Sequence, residues 1–181
     1  VTVPPLPVTG EQAPGFSGRT HHGEVIELAR LAGTPVLLMF YPFAFSRVCG
    51  SELQALVAHR DQVRASGARV LAISCDPVHS LRAYAQLLAA GSTRDSTADP
   101  TANSTDPTVA ESGELPFDLV SDFWPHGEIA QRYGAFDAIK GAAQRRSFLL
   151  DSALRIAHVQ AVPAAEARDL DEALLLLGRL R

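Results

Sequence analysis

At 181 residues, 46% hydrophobic and 20% charged, the chain has the size and balance of one globular domain able to fold without staples. Its net charge of −4 and scattered Lys and Arg, with Arg145–Arg146 the one short cluster, argue against a phosphate-tracking groove, so no nucleic-acid partner is expected. The longest apolar run, Val36–Tyr41, is strand length and far short of the roughly 18 residues of a membrane span.

Residues 1–35 are rich in Pro, Gly and Thr and read as a loop with a small hairpin. Pro35 introduces Val36–Tyr41, a continuous apolar run expected as a strand buried on both faces and ended by Pro42. From Cys49 to about Ser66, Leu53, Leu56, Val57 and Val63 recur on one helical face, with Gly67 as the stop. Val70–Ser74 reads as a second buried strand, Asp76-Pro77 as a turn, and Val78 to about Ala90 as a helix. Strand, helix, strand, helix in this order favours parallel pairing in an α/β layer. Nine of the 23 residues 91–113 are Ser or Thr and only Val109 is a large aliphatic, so a flexible insertion is expected there. Phe117–Ser121 reads as a strand, Gly127–Tyr133 as a short helix, Ser147–Asp151 and Leu154–Gln160 as a hairpin, and Leu170–Leu180 as a closing helix.

The chemistry centres on Cys49. It follows a buried strand and a proline loop and begins a helix, where unpaired backbone N–H groups and the positive end of the dipole favour thiolate, the nucleophilic form. Ser46 offers a hydroxyl one turn earlier and Glu52 an acid one turn later. A buried structural cysteine is the competing reading of a lone Cys in this position. With two cysteines and no visible signal peptide at Val1–Pro7, a reducing cytoplasm is the expected compartment.

Pro42-Phe43-Ala44-Phe45-Ser46-Arg47-Val48-Cys49 resembles the peroxiredoxin active-site pattern: proline, three residues, threonine or serine, two residues, cysteine. Asp122-Phe123-Trp124-Pro125-His126-Gly127 and Arg145-Arg146-Ser147-Phe148 recur in the same order, and together they are most similar to the one-cysteine alkyl hydroperoxide reductase E type of actinobacteria. The resemblance runs from about Ala13 to the end, apart from the insertion. It implies an α/β thioredoxin-like fold, with a central mixed sheet and flanking helices, in one domain over 1–181. It also implies a hydroperoxide substrate, no cofactor, no metal, and a homodimer.

Carried over by position, the resemblance makes Cys49 the peroxidatic cysteine. Ser46 is its hydroxyl neighbour, Pro42 its shield and Arg145 the active-site arginine. Glu52 is the acid that steadies that arginine. Cys75 matches no resolving position, so an external thiol or redoxin is the implied reductant, with Cys75 either structural or, alternatively, resolving. His21-His22 and His126 show no companion ligands at metal spacing, Asp76 and Asp122 read as turn caps, and Trp124 is expected to pack near the site or report on its oxidation. Arg47 reads either as a tuning charge or as a surface one. A disulfide oxidoreductase is disfavoured because the helix reads Cys49-Gly50-Ser51-Glu52, without a second cysteine. The remaining alternative is a peroxiredoxin scaffold used as a redox sensor, a chaperone or a recruited biosynthetic enzyme.

Overall fold

A computed structural model describes residues 5–92, 114–163, 166 and 168–180. In chain order, β1 (Ser17–Thr20) and β2 (Val25–Glu27) make the early hairpin, followed by a 3-10 turn at Leu28–Leu31. Next come β3 (Val36–Phe40), α1 (Arg47–Ala58), α2 (Arg60–Ser66), β4 (Arg69–Ser74) and α3 (Val78–Ser92). After the insertion follow β5 (Asp118–Ser121), α4 (Glu128–Arg132), β6 (Phe136–Asp137) and β7 (Ala142–Ala143). The chain closes with β8 (Arg146–Leu150), β9 (Ile156–Ala161) and α5 (Leu170–Arg179).

Seven strands form one mixed sheet in the order β2-β1-β5-β4-β3-β8-β9. The two apolar runs lie side by side at its centre: β3 and β4 pair in parallel, and β8 runs antiparallel to β3 with Phe40 opposite Arg146. Burial on both faces explains why these strands carry no polar alternation. One side of each strand meets α1, α2, α3 and α5 through Leu37, Met39, Tyr41, Val70 and Ala72. The other side meets α4 and the N-terminal segment through Val36, Leu38, Phe40, Leu71 and Ile73. The architecture is the thioredoxin-like one expected.

Three local differences from the sequence reading have physical causes. The helix expected from Cys49 starts at Arg47 and divides at His59, whose ring nitrogen Nδ1 sits 2.7 Å from the Ala55 carbonyl and whose backbone is not helical. Gly67 stops α2 as expected, in the left-handed conformation at φ 65°. The hairpin of β6 and β7 was not foreseen, because two-residue strands carry no period to read. Of the insertion, Gly91 and Ser92 complete α3, and the expectation for 93–113 lies outside the described residues.

Candidate active site

The topology brings the ends of β3, β4 and β5 and the start of β8 to one edge of the sheet. Pro42 opens the loop leaving β3 and is half-buried. Asp76, at the end of β4, holds that loop: its Oδ2 accepts from the Ala44 N–H at 2.8 Å and from Ser74 Oγ at 2.8 Å. Asp122 has the capping role expected of it, accepting from the N–H groups of Ile129 and Ala130 at 2.9 Å each. Asp76 therefore fixes the loop before Cys49, and Asp122 fixes the start of α4.

Ser46 is the N-cap residue of α1, with extended backbone, and its side chain makes no capping bond. Cys49 lies three residues on, in the first turn, fully buried. Arg145, just before β8, reaches it from across the fold: its Nη2 donates to Cys49 Sγ at 3.2 Å and its Nη1 to Glu52 Oε2 at 2.6 Å. The ion pair is sealed, with side chains 2% and 1% exposed. The geometry thus unites Cys49, Arg145 and Glu52 by direct contact. Among the described residues, Ser46 Oγ and Arg145 Nε lie buried without a partner.

Arg168, which the sequence reading missed, completes the arrangement. Its Nε and backbone N–H donate to Glu52 Oε1 at 3.1 and 2.8 Å, and its Nη2 to Oε2 at 2.8 Å. Its Nη1 donates to the Phe40 carbonyl at 2.8 Å and Ser147 Oγ at 3.2 Å. One carboxylate is therefore clamped between two guanidiniums. Burial alone would push the Glu52 carboxyl up, but the bonds and charge of Arg168, then the charge of Arg145, hold it below its ordinary range. The available signal was indirect. A buried carboxylate has room for about four hydrogen bonds, more than one arginine fills.

Cys75 lies elsewhere. It follows the end of β4, and its neighbours are Asp122, Asp76 and the Ala143 N–H. Burial first, then the charge of Asp122, pushes its thiol up to about 12. Both cysteines are free.

Two expectations change. Trp124 is 84% exposed, because the turn after β5 is committed to Asp122, whose carbonyl accepts from the Gly127 N–H, and the loop projects outward. Pairing of β1 with β5 also supplies the companion that His21 and His22 lacked in sequence, bringing Asp118 within 4.8 Å of both. That cluster is already committed: His21 Nδ1 accepts from the Leu119 N–H at 3.2 Å, Asp118 pairs with Arg69, and Arg82 donates to both histidine carbonyls. Arg47 is exposed, which favours its surface reading.

A reactive-position thiol at a helix start, gripped by a buried arginine on a thioredoxin-like sheet, defines a class of thiol-based oxidoreductases. Residues 9–159 match the AhpC/TSA family model, and the chain belongs to that peroxiredoxin family. Alkyl hydroperoxide reductase E of Mycobacterium tuberculosis is 30% identical over 161 residues, covering 88% of this chain and 89% of that protein. Peroxiredoxin 2 of Thermoplasma acidophilum is 27% identical, covering 95% and 75%. Among solved structures, Enterococcus faecalis AhpC superposes with a TM-score of 0.73 at 21% identity, over 96% of this chain and 92% of that one.

Proposed function

We propose that the chain is a thiol-dependent peroxidase reducing hydrogen peroxide or organic hydroperoxides through Cys49. The observation that carries this reading is the Arg145 bridge between Cys49 Sγ and Glu52 Oε2, flanked by unpartnered buried polar atoms. The Cys49 sulfur attacks the terminal peroxide oxygen. A sulfur–oxygen bond forms as the oxygen–oxygen bond breaks, two electrons leave sulfur, and the departing oxygen takes a proton to leave as alcohol or water. Cys49 becomes a sulfenic acid.

Charge moves along the sulfur–oxygen–oxygen line, so donors fixed along it favour the transition state over the ground state. Arg145 supplies a permanent charge on a forked group. Ser46 supplies a hydroxyl with no competing bond, and Pro42 walls the loop side. Glu52 and Arg168 hold the Arg145 fork in place. An external thiol or redoxin then attacks the sulfenic sulfur, releasing water, and a second thiol frees Cys49.

The upward shift of the buried Cys75 thiol supports a cycle that does not use it. One sheet collecting strands from β1 to β9 supports one peroxiredoxin domain over 1–181. The unpaired cysteines fit a cytoplasmic setting, and no helix among the described residues is long and apolar enough to cross a membrane. A homodimer is supported by large apolar side chains exposed on two loops: Phe43 and Phe45, 47% and 56% exposed, on the loop before α1, and Phe123 and Trp124, 50% and 84% exposed, after β5. Sedimentation of the reduced protein as a monomer at all concentrations would remove the dimer. The activity itself is tested by peroxide consumption with a supplied thiol: Cys49→Ser abolishes it, and an unreactive Cys49 sinks the reading.

A further inference from the structure

A third polar atom near Cys49 is buried without a partner, and the mechanism above does not use it. Tyr84, on α3, is 2% exposed, and its hydroxyl has no hydrogen bond among the described residues. A β-carbon built on Gly50, the residue after Cys49, would lie 3.5 Å from that hydroxyl oxygen, so the hydroxyl rests against the first turn of α1. The ring shares the core cluster containing Cys49, and Phe45 covers it with ring centroids 4.8 Å apart. Phe45 holds that position at φ 61°, an unfavourable conformation for a non-glycine residue. Burial first, then the charge of Cys49, pushes the phenol up to about 12, so it keeps its proton and remains a donor at neutral pH.

A buried donor left unpaired is costly and rare, and calls for an occupant. The reaction proposed above delivers one, since Cys49 gains an oxygen. We infer that the Tyr84 hydroxyl is the donor to the oxygen of the Cys49 sulfenate, idle in the reduced protein and filled in the oxidised one. No redox step is added: the hydroxyl keeps its proton and lends it as a hydrogen bond. The inference rests on the peroxidase reading and deepens it.

The test uses the full chain and Tyr84→Phe, which preserves the ring and its packing. Reductant-free protein is oxidised with one equivalent of hydrogen peroxide. Excess hydrogen peroxide is then added, and the second oxidation, of sulfenate to sulfinate with release of water, is followed across pH by the mass gained. Removing a donor leaves the anion less stabilised, so the sulfenic acid keeps its proton to higher pH. The midpoint of the profile should rise by about one unit, the tenfold equivalent of one hydrogen bond to an anion. The first oxidation should stay within about twofold of the parent rate, since the donor acts on the product. A purely structural tyrosine would alter thermal unfolding alone, and an unmoved midpoint overturns the inference. A first oxidation slowed as much as the second also overturns it, because Tyr84 would then act on the incoming peroxide. If the parent protein gains no oxygen on Cys49, the peroxidase reading itself has failed, and that result is distinguishable because it appears before any substitution.

Discussion

Arg145 gives one amino group to Glu52 and the other to Cys49, so one neighbour fixes its position and the other receives its charge. Replacing it with Met removes a donor aimed at the reacting oxygens and should lower kcat/KM by about 10²–10³-fold. Arg145→Lys should fall nearly as far, because an ammonium cannot bridge both partners as a fork does. Steady-state kinetics with hydrogen peroxide separates these variants from Ser46→Ala, whose hydroxyl is one donor among several. Glu52 is different in kind, since it never meets substrate. Glu52→Gln removes the single anion between two buried guanidiniums and should cost about 3–5 kcal/mol of stability, read by urea unfolding. Arg168→Met should be severe by the same argument, and its activity loss should follow misplacement of Arg145.

At the scale of elements, both cysteines are buried, and they differ in what surrounds them: Arg145 donates to Cys49, whereas Cys75 lies among Asp122, Asp76 and the Ala143 N–H. Val70 and Ala72 face the helix layer that holds Cys49, whereas the alternation along β4 continued to Cys75 falls with Leu71 and Ile73, on the other side. Cys75→Ser should therefore leave turnover unchanged, and in the parent protein an alkylating reagent at neutral pH should modify Cys49 first, with Cys75 held as a neutral thiol by its rise to about 12. Peptide mapping after timed labelling checks both, and a Cys49–Cys75 disulfide after peroxide would refute the separation. The same strands were the most legible part of the sequence. Val36–Tyr41 and Val70–Ser74 carry enough apolar residues to declare burial on both faces, and Pro42, Ser46 and Cys49 have a fixed spacing. Arg168 was not legible: it sits in a loop without period, 116 residues from Glu52, and only tertiary closure brings them together. The division of the first helix at His59 and the brief hairpin of β6 with β7 were hidden for a related reason, since both are decided by local hydrogen bonds rather than by patterned burial.

For the whole molecule, the buried titrating groups set how the fold meets acid. Glu52 is held below its ordinary value of 4.5, so its stabilisation is present above that pH and is lost as pH falls through its lower folded value. His21 is lowered from 6.5, first by burial and then by the charge of His22. The unfolded chain therefore takes up that proton first, and stability declines as pH drops below 6.5. Asp122 works in the other direction. Burial raises it from 3.8 to about 6, so the folded state binds its proton earlier and gains stability as pH falls across that window. His21 and Asp122 oppose each other below about 6, which predicts a shallow dependence there. Below 4.5 the loss at Glu52 dominates, because protonation strips the only anion from between Arg145 and Arg168. Urea unfolding at fixed pH steps from 8 to about 3 should show that shape. In Glu52→Gln the steep acid limb should flatten while stability at neutral pH is lower, and an equally steep limb in that variant would place the acid sensitivity elsewhere in the fold.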